Sequence, residues 1–256
     1  TLLLPVVFGE HSAAVSVLAL LLALLLVWIR RARPKAEKAG PQAPQPEEKV
    51  VYFVRHGQAQ HNATSDWSIP DPVLTPRGEE QSFALANNPE LSRALSSTKG
   101  HRAELLVVSP LRRTLQTAAI GFSDLEPRFP WLLEPDIQEK NNVPCDTAVP
   151  ELGAALLEQM ERKDLLEQLQ ALPDGWHRKE GAYAPDDGLL HARFQRFSDR
   201  LRDRPERCII VVTHDHVLQA GLQPERRFEN GEVRAYALMP RGAFRPLPPA
   251  AEWPQE

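Results

Sequence analysis

Apolar positions along this chain fall into two kinds of run, one long and several short. Residues 12–29 read SAAVSVLALLLALLLVWI, uncharged and apolar on every face. At about 18 residues the run has the length that a helix needs to cross a bilayer core. Arg30, Arg31, Arg33 and Lys35 follow it, whereas only Glu10 and His11 carry charge just before it. By the positive-inside rule this order places the downstream chain on the cytosolic side. A cleaved signal peptide would carry its basic segment first, and a buried core helix would not lead into a polar, Pro-rich stretch. The expectation is a segment 1–11, a transmembrane helix 12–29, a Pro-rich linker 30–48 and a single-pass membrane protein whose folded domain faces the cytosol.

The short runs have a different meaning. Residues 49–54 (KVVYFV), 104–108 (ELLVV) and 208–212 (CIIVV) are brief and rich in β-branched residues, the pattern of buried strands. Each stops on polar or reactive residues: Arg55, His56 and Gly57; Ser109 and Pro110; Thr213 and His214. Helical spacing occupies residues 78–95, 113–120, 151–172 and 188–204. Alternating strands and helices predict a three-layer α/β/α sandwich with a largely parallel central sheet. Ligands bind at the carboxyl ends of such strands, so the three polar termini are expected to converge on one pocket. The domain is drawn over residues 49–239, with a Pro-rich tail, 240–256, outside the packed core.

Composition narrows the chemistry. A chain of 256 residues with a formal charge of −4 has no basic footprint for nucleic acid. Cys145 and Cys208 lie far apart and belong to no paired spacing, so they read as free thiols in a reducing compartment. No Gly-rich phosphate loop with its Lys and Ser or Thr is present, which argues against a fused kinase. Nothing in the chain indicates its oligomeric state.

A histidine at a strand end between Arg and Gly suits phosphoryl transfer. Imidazole is a nucleophile at neutral pH, Arg binds phosphate bidentately, and Gly lets the backbone come close. The tripeptide alone is a weak signal, because a His beside an Arg is more often an ordinary polar residue at a strand terminus. Its company strengthens it: VRHGQAQHN at 54–62, LTPRGEEQ at 74–81, SPLRRTLQTA at 109–118, DIQEKNNVPC at 136–145 and VVTH at 211–214. In this order the segments resemble the phosphoglycerate-mutase-like branch of the histidine phosphatase superfamily, over most of residues 50–234.

That resemblance implies that His56 becomes transiently phosphorylated while Arg55 and Arg113 grip the phosphoryl oxygens and His214 completes the pocket. It places Asn62 among the phosphate contacts and Glu139 as the acid that protonates the leaving oxygen. Two departures stand out. The segment after the third strand is THDHVL at 213–218 rather than a run of small residues, and the more distant acid-phosphatase branch uses an HD pair there, so Asp215 could share or replace the role of Glu139. His214 and His216, two apart on an extended chain, would share a face and invite a zinc reading, but no third ligand is spaced to join them.

The resulting expectation is a metal-independent phosphohydrolase, without a cofactor, acting on a small phosphorylated substrate. Two rivals stand beside it: a mutase that returns the phosphoryl group, against which residues 64–72 (TSDWSIPDP) match the mutases' substrate loop poorly, and a membrane-tethered phosphate-binding module whose catalysis has decayed. Specificity is expected in residues 144–187, with their helices as a cap over the pocket, and His61 and Trp67 at its mouth.

Overall fold

The computed structural model describes residues 48–96, 102–122 and 129–253. All of them belong to the unit that runs from Pro41 to Glu256. Its frame is a six-stranded sheet: β1 (Lys49–Arg55), β2 (Leu105–Val108), β3 (Trp131–Leu133), β4 (Cys208–Thr213), β5 (Val233–Leu238) and β6 (Phe244–Pro246), in the order β3-β2-β4-β1-β5-β6. The pairings β3-β2, β2-β4 and β4-β1 are parallel, while β1-β5 and β5-β6 are antiparallel, so the sheet is mixed.

The central strands are apolar on both faces because both faces are covered. Val50, Tyr52, Val54, Leu106, Val108, Ile210 and Val212 point into one core cluster. Their neighbours Val51, Phe53, Leu105, Val107, Ile209 and Val211 point into the other. Helix α3 (Arg112–Phe122) buries Leu115, Ala118 and Phe122 in the first layer. Helices α6 (Asp187–Asp203) and α7 (Asp215–Leu222) bury Phe194, Phe197, Leu201, Val217 and Leu218 in the second. Each of the Leu, Phe and Val side chains among these contributes about 1.5–3 kcal/mol relative to exposure. The sandwich is therefore as the alternation of strands and helices predicts.

Several boundaries differ from expectation. The helical stretch at 78–95 is interrupted: α2 (Pro76–Phe83) gives way to 3-10 turns at Ala84–Asn87 and Pro89–Leu91, where Pro89 removes a backbone donor. The stretch at 151–172 is two helices, α4 (Pro150–Gln159) and α5 (Lys163–Gln170), parted at Glu161, whose φ is +55°. These two helices are not a cap over the pocket. Leu157, Leu165 and Leu169 sink into the first core layer, with α5 packed beside β3.

The Pro-rich C-terminal stretch also departs from its expected place outside the core. It supplies β6, and Trp253 is 2% exposed, stacked on Tyr52 at 6.3 Å. Proline is tolerated there because β6 is an edge strand, where a missing donor costs no ladder bond.

The membrane placement is corrected as well. Residues 12–29 lie outside the described residues. Among the described residues no helix is long and apolar enough to cross a membrane. The 17-residue helix α6 carries six charged residues between Arg193 and Asp203 (Arg193, Arg196, Asp199, Arg200, Arg202 and Asp203), as befits a helix with one face in a protein core. A single-pass membrane protein is thus not supported.

Candidate active site

Strand register brings the site together. In the parallel pairings Arg55 lies beside Thr213, and Val108 beside Val212. The next residues on each strand are His56, His214 and Ser109, so the three polar termini meet at the carboxyl edge of the sheet. Backbone bonds lock them: His56 N–H donates to the Thr213 carbonyl at 3.1 Å, and Ser109 N–H to the Val212 carbonyl at 3.1 Å.

His56 is buried, and its tautomer follows from its partners. Nδ1 lies 2.7 Å from the Gly57 carbonyl, which can only accept, so Nδ1 carries the proton. The lone pair is left on Nε2, where Arg113 Nε donates at 3.2 Å. Burial, then the guanidinium groups of Arg113 and Arg55, hold the His56 pKa well below the ordinary imidazole value. The ring is a neutral base with its unprotonated nitrogen against a guanidinium.

Arg113 is fully buried on the first turn of α3. Its Nη1 donates to the Cys145 carbonyl at 2.7 Å and its Nη2 lies 3.4 Å from Asp146 Oδ1. The buried charge is thereby paired and its planar fork oriented. Arg112, the alternative in the same motif, faces away and binds the Asp71 carbonyl at 2.6 Å.

His214 caps α7 with extended backbone and is fully buried. Its ring centroid stands 5.2 Å from that of His56. Ser109 Oγ lies 2.7 Å from His214 Nε2, and Nδ1 has no partner among the described residues. Burial, then Arg113 and His56, also hold the His214 pKa well below normal.

The remaining candidates take several places. Arg55 donates to the Phe228 carbonyl and lies 3.7 Å from Asp215 Oδ1. Asn62 is occupied locally: Oδ1 accepts from Ala59 N–H at 3.0 Å and Nδ2 lies 3.0 Å from His61 Nε2, at the start of helix α1 (Gln60–Thr64). Asp215 is held by Arg227 at 2.5 Å, with Arg55 on its other oxygen. Glu139 is buried in the loop after β3, its Oε1 accepting from Lys140 N–H at 2.8 Å and lying 3.2 Å from His216 Nδ1. Burial opposes its ionisation, but His216 and Arg113 outweigh that and hold the carboxyl below its usual range.

His214 and His216 do not share a strand face: the chain turns into α7 between them, and His216 turns to Glu139. His61, Cys145 and Asp146 bring ligand-type atoms within 4.8 Å of one another; the Cys145 and Asp146 atoms are engaged with each other and with Arg113, while His61 Nδ1 has no partner among the described residues. Cys145 Sγ and Arg113 both contact Asp146 Oδ1 at 3.4 Å, and burial pushes the Cys145 thiol up to about 12. His61 packs 5.7 Å from the half-exposed Trp67 ring, and burial lowers its pKa to about 3.

The motif LTPRGEEQ is scaffolding. Thr75 Oγ1 caps α2 by accepting from Gly78 N–H at 3.1 Å, while Gln81 Oε1 accepts from Gln58 N–H at 2.8 Å. Sequence reasoning missed Lys179 and Arg193. Lys179 Nζ donates to Gln138 Oε1 at 2.8 Å and to the Glu139 carbonyl at 2.5 Å, and Arg193 Nη2 donates to the Glu139 carbonyl at 3.2 Å. Both are buried and hold the loop that carries Glu139. No local pattern separates them from the surface cations around them.

Residues 51–240 match the family model of the histidine phosphatase superfamily (branch 1), and the chain belongs to that superfamily. It is similar to a probable phosphatase of Schizosaccharomyces pombe, 25% identical over 173 residues that cover 65% of this chain and 74% of that protein. A phosphoglycerate mutase-like protein of Arabidopsis thaliana is 35% identical over 86 residues, 30% of either chain. In structure it is similar to a putative alpha-ribazole-5'-P phosphatase of Escherichia coli, with a TM-score of 0.52 and 22% identity over 78% of this chain and 96% of that one, a likeness of fold.

Proposed function

We propose that this chain hydrolyses phosphate monoesters through a phosphohistidine on His56. The observation that carries the reading is the pair of bonds on its ring: Nδ1–H held by the Gly57 carbonyl, and the Nε2 lone pair facing Arg113. A neutral imidazole with a fixed tautomer needs no deprotonation before it attacks phosphorus. Membership of the superfamily and the phosphatase-named yeast relative support hydrolysis as the overall reaction.

Binding a phosphate dianion moves Arg113 Nε from His56 Nε2 to a phosphoryl oxygen. Arg113, Arg55 and His214 then surround the charge that spreads over the transferring group, which is the stabilisation this reaction chiefly needs. Nε2 forms the N–P bond as the ester P–O bond breaks, and Glu139 supplies the proton to the departing alcohol. Water then attacks the phosphohistidine with the same carboxylate as base. Asn62 contributes by fixing α1 and the His61 ring beside the nucleophile. Under this reading the substrate is a small phosphate ester and no metal is required.

The test uses the whole purified chain with a generic phosphate ester, with and without chelator, and the variant His56→Ala. Phosphate release that survives the chelator, and is lost in the variant, is expected. Undiminished turnover in His56→Ala would overturn the reading. Transfer of the phosphoryl group to an added alcohol, in place of release, would identify a mutase.

A further inference from the structure

Glu139 has an unusual partner. An acid that protonates a leaving group must hold a proton when the P–O bond breaks, yet this carboxyl is buried against a histidine that favours its ionised form. His216 Nδ1 lies 3.2 Å from Glu139 Oε1, an ion-pair contact whose angle falls short of a hydrogen bond, and His216 N–H is 3.5 Å from Oε2. Glu139 is almost wholly buried, whereas the His216 side chain is 40% exposed. The pair therefore joins the pocket to solvent through one imidazole.

We propose that His216 is the proton reservoir for Glu139, a positioning and relay residue that does not itself touch the substrate. The proposal rests on Glu139 acting as the acid. In the resting site the proton sits on His216 and the carboxylate is charged. Around the imidazole lie Glu139 from the loop after β3, Asp146 from the turn before α4, Asp215 on its own helix, and Asp187, itself paired with Lys140 at 2.5 Å. Contact with Glu139 outweighs partial burial and raises the His216 pKa above the ordinary value.

The steps balance. Arrival of a phosphate dianion makes a second negative charge beside Glu139 costly; a small turn of the partly exposed His216 ring brings Nδ1–H into line with a carboxylate oxygen 3.2 Å away, and the proton passes to it. His56 Nε2 donates its lone pair to phosphorus, the ester P–O bond breaks, and the leaving oxygen takes that proton from Glu139. His216 is then neutral and Glu139 ionised. In the second half, water oxygen bonds to phosphorus, the N–P electron pair returns to Nε2, and the proton from water passes through Glu139 back to His216. The sum is ester plus water giving alcohol plus phosphate, with both residues restored.

Glutamine at 216 keeps a hydrogen-bonding amide near Glu139 but has no proton to give. The whole chain, His216→Gln, His216→Asn and Glu139→Gln are compared on p-nitrophenyl phosphate, whose phenolate leaves with little protonation, and on glycerol phosphate, whose alkoxide cannot. In both His216 variants the ratio of kcat on the aryl ester to kcat on the alkyl ester is expected to rise at least about tenfold, within the range of general acid catalysis. The alkaline limb of the kcat–pH profile on the alkyl ester should disappear with it. An equal loss on both esters, or no loss on the alkyl ester while Glu139→Gln raises the ratio, overturns the reservoir. If Glu139→Gln leaves the ratio unchanged, Glu139 is not the acid, and the reading beneath the proposal fails instead.

Discussion

Gly57, the residue after His56, stands back to back with Gly78 on α2. A Cβ on Gly57 would lie 2.4 Å from the Gly78 carbonyl oxygen, and one on Gly78 would lie 2.0 Å from the Gln58 carbonyl oxygen. The glycine of the RHG tripeptide is thus explained by the helix behind it: the loop carrying His56 is pressed against α2 with no room for a side chain at either glycine. Its remaining bonds, Gly57 N–H to Thr117 Oγ1 at 3.0 Å and Thr75 N–H to the Gln58 carbonyl at 2.9 Å, depend on that contact.

Gly57→Ala should therefore destabilise the fold by about 1–3 kcal/mol, the cost of overpacking against backbone that cannot yield. Activity should fall in the fraction that still folds. Urea denaturation checks the first and turnover of the folded protein the second; a midpoint unchanged from wild type would refute the contact.

Arg113→Lys tests the fork. A lysine ammonium has no planar geometry to hold the Cys145 carbonyl, Asp146 and the His56 lone pair at once, and it cannot grip two phosphoryl oxygens in one plane. A loss of about 10²–10³-fold in kcat is expected, the cost of removing one preorganised donor. Steady-state kinetics within threefold of wild type would show that charge alone suffices.

Acid should weaken the fold through its buried imidazoles. His56 and His214 are held neutral well below the ordinary pKa, and His61 down to about 3. The unfolded chain binds protons at these sites below about pH 6.5 while the fold does not, so stability is full above that pH and falls as pH drops from there toward 3. The melting temperature should decline across this range, and His61→Gln should decline less steeply. Equal slopes would show that His61 is not held neutral in the fold.

Trp253 makes a test of the C-terminal stretch. It stacks on Tyr52 of the central strand, lies 5.4 Å below the Arg93 guanidinium, and donates through Nε1 to the Pro248 carbonyl at 2.9 Å. Trp253→Ala should cost about 3–5 kcal/mol. Thermal unfolding that stays at the wild-type midpoint would mean this stretch is dispensable.

Much of the site was legible along the chain because strands announce themselves locally. Runs such as CIIVV state their own burial, and the residues that end them, His56, Ser109 and His214, are fixed at the sheet edge by register alone. The α/β class and the superfamily followed from the same short segments. The outer strands were illegible: the edges β3 and β6 are short, β5 beside β6 is interrupted by Arg234, and only pairing with a neighbour makes them strands. The C-terminal prolines suggested a loose tail, whereas Trp253 finds its stability in Tyr52, about two hundred positions earlier.

What the tertiary structure decided was which charges meet. Nothing near Glu139 in the chain points to His216, Lys179 or Arg193, which reach its side chain or its backbone from 77, 40 and 54 residues away. The resemblance picks Arg113 over Arg112 by spacing within the motif, but only the fold gives the physical reason: of two adjacent and chemically identical residues, one faces the His56 lone pair and the other the Asp71 carbonyl. Local sequence determines burial and backbone conformation, because those are set by hydrophobicity and sterics within a few residues. Proton positions and electrostatic partners are set by distances through space, and those exist only once the chain has folded.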